Sequence, residues 1–407
     1  MKRRDLFGLA GGAALLPMLG PVWAARADES PQRLVVVMLR GAVDGLSVVV
    51  PYGEQAYYDA RPTIAIQKPG ADNGALPLDG HFGLHPALAS LMPLWNDKKI
   101  AFIHAAGSPD PNRSHFDAQQ YIENGTPGRG ATQDGWMNRV LAALPGARSP
   151  TDAISVGPTL PFILKGPVSV ANLPLGPNAA QPMAIDKPEI ASAFDKLYAG
   201  NDKQSQAYRQ GREARTELVA DMSTEQQMAD NGAPPANTLP ALADRLAGLM
   251  TKDRHVRLAF ASLGGWDTHV NQGNHAGQLA GRLKPLGDGL AALAQGLGPD
   301  WNNTVVIVIS EFGRTVHENG NRGTDHGHGN AIWVMGGRVN GGKVYGEWPG
   351  LATAQLYQGR DLSVTTDYRH VLSMIIERHL RLPDAAMATI FPGMPAPKGN
   401  LAQILAA

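Results

Sequence analysis

Four short runs of the chain are predominantly apolar, with no alternation of polar and apolar positions: residues 34–39, 99–103, 257–261 and 304–309, the first and last rich in β-branched residues. An uninterrupted run of this length reads as a strand buried on both faces, as in a parallel sheet. Each gives way to Gly or polar residues, and segments of helical period lie between them, at 85–95, 116–124 and 278–297. The alternation predicts an α/β fold: a doubly wound, mostly parallel sheet with helices on both faces. Ligands of such sheets bind outside the carboxyl ends of the strands, so the loops after the apolar runs are where chemistry is expected. Residues 186–255 depart from the pattern, with polar helical segments and a Pro/Asn-rich break. They read either as a helical insertion or cap, or as an ordinary pair of crossover helices.

The chain opens on Lys2-Arg3-Arg4, an apolar Gly/Ala/Leu stretch and two small-residue triplets ending at Ala24 and Ala27. This is the pattern of a twin-arginine signal peptide over residues 1–27, followed by one α/β domain over 28–407. The apolar stretch falls short of the roughly 20 residues that a membrane span needs. The expected location is periplasmic or secreted, with the twin-arginine translocase as partner during export and no stable membrane span.

With 36 Lys+Arg against 36 Asp+Glu, the chain carries no basic field to draw nucleic acid. It has no Cys, which excludes disulfides, thiolate metal sites, iron–sulfur clusters and Cys nucleophiles. Any metal must therefore be held by His, carboxylates or hydroxyls.

Five loops concentrate such groups. After the first run, Asp44 stands between Val43 and Gly45, a sequence equally suited to a plain turn. After the second, Arg113-Ser114-His115 precede Phe116-Asp117. Ser114 and Asp117 fit a capping box, so a helix starts there. The amide dipoles of that helix start would equally favour an alkoxide or a bound oxyanion at Ser114, with Arg113 and His115 alongside. After the third, Asp267 and His269 are two residues apart and project to one side of extended backbone. After the fourth, Glu311 needs a partner, which either Arg314 or a cation would supply. The fifth loop sets Asp325, His326 and His328 among glycines. Asp44, Asp267, His269, Glu311, Asp325, His326 and His328 are thus candidate metal ligands at one sheet edge. Such oxygen and imidazole donors suit Zn2+ or Mn2+, or Mg2+ or Ca2+ if the carboxylates dominate, as one or two ions.

These motifs (Gly41-Ala42-Val43-Asp44-Gly45-Leu46, Arg113-Ser114-His115-Phe116-Asp117, Gly265-Trp266-Asp267-Thr268-His269, Ser310-Glu311-Phe312-Gly313-Arg314 and Thr324-Asp325-His326-Gly327) carry a resemblance over nearly the whole mature chain. It resembles a bacterial, twin-arginine-exported family known as domain of unknown function 1501. That family is grouped with the alkaline phosphatase-like superfamily of phosphatases, sulfatases and phosphoglycerate mutases. The resemblance implies Asp44 and Ser114 at one metal, and Asp267, His269 and either His326 or His328 at another. Where the superfamily places an Asp-His pair, this chain has Glu311-Phe312, which implies either that Asp325 or His326 replaces the imidazole or that one site is weak or empty. A formylglycine sulfatase is not expected, since Ser108-Pro109-Asp110 lacks the required arrangement. The expected function is an exported metal-dependent hydrolase of phosphate or related esters, with Ser114 attacking or holding the ester and Arg113, His115 and Arg314 binding the anion. The alternative is a non-catalytic exported protein that keeps the fold and binds a metal, a glycan or a partner.

Overall fold

The computed structural model describes residues 31–129, 132–146, 149, 151–157, 159–173, 229–396 and 401–406. The signal segment 1–27 lies outside these, as does the part of the 186–255 segment before residue 229. The described remainder of that segment carries the helix Leu239–Lys252.

Among the described residues the strands are β1 (Arg33–Leu39), β2 (Val49–Val50), β3 (Leu76–Pro77), β4 (Gly83–Leu84), β5 (Ile100–Gly107), β6 (Ala153–Val156), β7 (Ala171–Leu173), β8 (Leu258–Leu263), β9 (Thr304–Ser310), β10 (Asn330–Gly336), β11 (Val344–Tyr345) and β12 (Thr366–Asp367). One sheet runs β11-β5-β10-β9-β1-β8-β6-β7, with β12 also on β5, while β2, β4 and β3 form a small antiparallel sheet. At the centre, β1 pairs in parallel with both β8 and β9, so that Val36 stands opposite Phe260 on one side and Ile307 on the other.

The unbroken apolar runs follow from burial on two faces. Val35, Val37 and Leu39 join Val306 and Val308 in a core that includes residues of the helices Leu239–Lys252 and Gln278–Leu297. Leu34, Val36 and Met38 join Val305, Ile307 and Ile309 in a second core against the helices Trp136–Ala143 and Tyr368–Arg378. Successive side chains of a strand point to opposite faces, so each strand feeds both cores. Every fully buried Val, Leu or Ile contributes about 1.5–3 kcal/mol of transfer free energy. The expected α/β sheet with helices on both faces is therefore the observed one.

Two features differ from the expectation. The segment 85–95 is not one helix but a 3-10 segment, Pro86–Leu91, followed by the short helix Met92–Asn96. Pro86 and Pro93 each remove a backbone donor there. Strand β10 runs antiparallel to both β9 and β5. The chain after β9 therefore turns back at the carboxyl edge without a crossover helix. Residues 311–329 stay over that edge and bring Asp325 and His326 above the ends of β1 and β8. This position creates the site.

Candidate metal centre

Three imidazoles and one carboxylate converge over the carboxyl ends of β1, β8 and β9. His115 starts the helix His115–Asn124, whose N-cap is Ser114. Asp267 and His269 lie in the loop after β8. His326 is held opposite Arg314 by an isolated antiparallel bridge. The bonds from Thr315 N–H to the Asp325 carbonyl (2.9 Å) and from Gly327 N–H to the Gly313 carbonyl (2.8 Å) tighten this hairpin.

The Nε2 atoms face one another. His115 Nε2 lies 2.9 Å from His326 Nε2, and His269 Nε2 lies 3.0 Å from the same atom. The Asp267 carboxylate closes the group, 3.7 Å from His115 Nε2, 3.0 Å from His269 Nε2 and 3.5 Å from His326 Nε2. Ligand atoms of His115, Asp267 and His326 all lie within 4.8 Å of one another.

The opposite nitrogen of each ring faces an oxygen. His115 Nδ1 is 2.8 Å from Glu311 Oε1, His269 Nδ1 is 3.2 Å from Asp325 Oδ1, and His326 Nδ1 is 2.9 Å from the carbonyl of Arg113. A carbonyl or an ionised carboxylate only accepts, so each Nδ1 carries the donated proton. In the neutral rings every Nε2 then presents its lone pair inward. This is how a carboxylate or carbonyl behind a histidine orients it toward a metal. A tetrahedral ion with ligands at about 2.0–2.1 Å sets neighbouring donors about 3.3 Å apart. The observed 2.9–3.7 Å separations straddle that value, so the donor set fits a divalent cation.

The charges agree with this arrangement. Burial would raise the Asp267 carboxyl, but the neighbouring imidazoles of His115, His269 and His326 and the charge of Arg314 hold it far below the usual range. Glu311 is held at about 2 against its burial, chiefly by His115. Burial disfavours the His115 cation, yet Asp267 and Glu311 together raise its pKa to about 9. Burial lowers His326, which Asp267 only partly offsets. A proton on His115 thus occupies the space between rings that a cation would take. The ring of Phe312 lies tilted beside those of His115 and His326, with centroids at 4.9 and 5.1 Å.

Glu311 and Asp325 stand behind histidines, as orienting groups. Glu311 also accepts from the Gly41 N–H at 2.8 Å and from Gln119 Nε2 at 3.0 Å. Arg314 does not pair with Glu311; its guanidinium bonds Asp267 and the carbonyls of Gly41, Ala42 and Thr324. Asp44 is not brought into the cluster. It forms a buried two-pronged pair with Arg61 (2.6 and 3.0 Å) and accepts from Ser47 and Gln272, both at 2.7 Å. His328 also lies apart, with Nε2 3.0 Å from the Ser108 carbonyl and its ring 4.6 Å from that of Tyr357. Arg113 pairs with Asp361, with Nη2 at 2.5 Å. Ser114 is the helix cap, its Oγ accepting from the Asp117 N–H at 3.5 Å.

Two participants were not singled out from the sequence. Gln119 lies one helical turn after His115 and so shares its face, a spacing that could have pointed to it. Gln272 joins Asp44 to the metal loops, its Oε1 accepting from Thr268 Oγ1 at 2.7 Å and Thr324 Oγ1 at 2.9 Å. Neither neighbour is close in sequence to Asp44.

Residues 98–391 match the family described as Protein of unknown function (DUF1501). The chain belongs to that family. No curated protein matches the sequence. Among solved structures it is similar to the lipoteichoic acid synthase LtaP from Listeria monocytogenes, at 10% identity and a TM-score of 0.36, covering 83% of this chain and 75% of that one. A protein in the alkaline phosphatase superfamily from Vibrio parahaemolyticus is similar at 11% identity and a TM-score of 0.36, over 78% and 63%. The C-terminal periplasmic domain of EcEptC from Escherichia coli, in complex with Zn, is similar at 10% identity and a TM-score of 0.36, over 76% and 74%. Among the described residues, no helix of this DUF1501 chain is long and apolar enough to cross a membrane.

Proposed function

We propose that this DUF1501 protein is an exported, metal-dependent hydrolase of phosphate or related esters. One observation carries the reading: the Nε2 atoms of His115 and His326 and the Asp267 carboxylate share one small volume, with His269 beside them. A divalent ion bound there would polarise an ester oxygen and stabilise developing negative charge. Asp267 and His326 would hold it, with His115 as third ligand and His269 as the fourth donor nearest to Arg314. Glu311, Asp325 and the Arg113 carbonyl fix the ring orientations. Arg314, anchored on the carbonyls of Gly41, Ala42 and Thr324, keeps the Asp267 carboxylate aimed inward. Ser114, immediately before His115 and exposed, remains the candidate nucleophile, and the helix start behind it favours negative charge at its oxygen.

The Asp44–Arg61 pair supports one ion rather than two, because Arg61 already supplies the cation that Asp44 would otherwise meet. That same pair favours the second reading, a one-ion, non-catalytic protein binding a glycan or a partner. Elemental analysis of the purified chain separates the readings when combined with phosphomonoesters, phosphodiesters and sulfate esters as substrates. The hydrolase reading expects about one ion per chain, with turnover removed by a chelator and restored by metal. Metal without turnover supports the second reading. Full metal content in both His326→Ala and Asp267→Asn would overturn the site itself.

A further inference from the structure

A second cavity, of about 180 Å3, lies by the carboxyl ends of β1, β6 and β8, lined in part by Arg40, Ser155, Thr159, Lys165, Asn231 and Ser262. Two side chains on its wall each bury a polar atom that has no hydrogen-bond partner among the described residues: Nε of Arg40 and Oγ of Ser155. Arg40 is 3% exposed and Ser155 1%. The rest of the Arg40 guanidinium is committed, Nη1 to Gln119 and Nη2 to Glu123 at 2.5 Å. The second oxygen of Glu123 accepts from the Ile163 N–H at 2.8 Å.

These facts restrict what completes the cavity. A guanidinium Nε–H can only donate, so its partner must be an acceptor, and a cation or an ammonium ligand is excluded. The Ser155 hydroxyl can donate to the same group. The Arg40 and Glu123 charges cancel, which leaves the exposed Lys165 as the net charge and favours an anion. The volume falls below the ~300 Å3 of sites for larger organic ligands. A compact group suits it. We propose that this cavity binds a compact oxyanion, a sulfate, phosphate or carboxylate group, through Arg40 Nε, Ser155 Oγ and Lys165. Gln119 separates it from the metal centre, bonding Arg40 on one side and Glu311 on the other. The cavity does not depend on a metal being bound.

The test is the thermal midpoint of the full chain against sodium sulfate, with ionic strength held constant by sodium chloride. A saturating rise is expected in the wild type and in His326→Ala, with the half-effect concentration at least about tenfold higher in Ser155→Val, where a lost charge-assisted bond and added bulk act together. A rise without saturation, equal in all variants, is the general effect of sulfate on burial and would overturn the proposal. So would saturation lost in His326→Ala and kept in Ser155→Val, which puts sulfate at the metal centre. Should Ser155→Val fail to fold, Ser155→Ala removes the hydroxyl without adding volume and is read in the same way.

Discussion

His115 and His326 meet nitrogen to nitrogen, Nε2 to Nε2 at 2.9 Å, while the far nitrogen of each faces an oxygen acceptor. Two neutral rings so oriented would oppose lone pair to lone pair. The contact is favourable only with a positive centre between them, either a proton on one ring or a metal ion. The Glu311 carboxylate behind His115 and the Asp267 carboxylate beside both rings supply the negative charge that retains it.

Glu311 is the orienting group whose removal is most informative. Glu311→Gln keeps the shape but gives up the charge behind His115, and loss of such a partner typically costs 10–100-fold in metal affinity. Competition against a chelator should place Glu311→Gln in that range and His326→Ala beyond it. Wild-type affinity in Glu311→Gln would remove Glu311 from the metal site altogether.

Gly41 follows β1 with φ +111°, and a Cβ there would lie 2.7 Å from the Asp267 amide nitrogen. Backbone cannot yield as a flexible side chain can, so Gly41→Ala should push the Asp267 loop away while straining its own residue. We expect a loss of about 1–3 kcal/mol in urea unfolding, with weaker metal binding in the folded protein. Unchanged metal affinity would mean that the loop tolerates the displacement.

Asp44 and Arg61 make a separable prediction. Removing one partner of a buried pair strands the other charge, at about 3–5 kcal/mol. Arg61→Met should therefore destabilise strongly, and adding Asp44→Asn should recover part of the loss, as a double-mutant cycle measures. Asp44 reaches the metal loops indirectly, through Gln272 and through Arg61, which donates to the Thr315 carbonyl at 2.9 Å, so folded Asp44→Asn should keep its metal. Full stability with lost metal in that variant would make Asp44 a ligand.

Much of the fold could be read from the chain because it depends on local pattern. The helix at 278–297 has the bounds that its period gives, and the central strands announce two-sided burial by their unbroken apolar runs. The direction of β10 could not be read, since Asn330–Gly336 is apolar whichever way it runs. The Asp267 and His269 spacing places both on one side of the site, as extended backbone requires. The glycines around His326 and His328 have a different cause from ligand binding. A Cβ at Gly327 would lie 2.4 Å from the Arg314 carbonyl, and one at Gly313 would lie 1.8 Å from that of Gly329, so they are close-approach positions of the hairpin. Which imidazole enters the site then follows from hairpin register: the residue opposite Arg314 is His326, and His328 falls beside Ser108. Likewise Asp44 finds Arg61 through the fold of the intervening chain, which no local spacing encodes. His115 looked like a charge beside Ser114; only its helix phase turns the ring toward Glu311.

Acid should weaken the fold through histidines remote from the metal centre. His85, His104 and His379 are buried, and burial lowers each from 6.5 to about 4, only partly offset by their hydrogen bonds to the carbonyls of Asn274, Val49 and Arg33. Between pH 6.5 and 4 the unfolded chain protonates these rings and the folded chain does not, so unfolding takes up protons and stability falls as pH falls. Above 6.5 the three are neutral in both states and contribute no slope. Asp230 opposes them over part of the window, since burial raises its carboxyl to about 6 and the folded state binds its proton first. Three rings against one carboxyl leave a net loss on the order of several kcal/mol by pH 4. Urea midpoints taken in chelator at pH 7, 6, 5 and 4.5 read this slope apart from any metal. His104→Gln, which keeps a donor for the Val49 carbonyl but cannot titrate in this range, should reduce the slope by about one ring's share, about a third of what His85, His104 and His379 contribute together. A flat profile in the wild type, or an unaltered slope in that variant, would mean that these rings are protonated alike in both states.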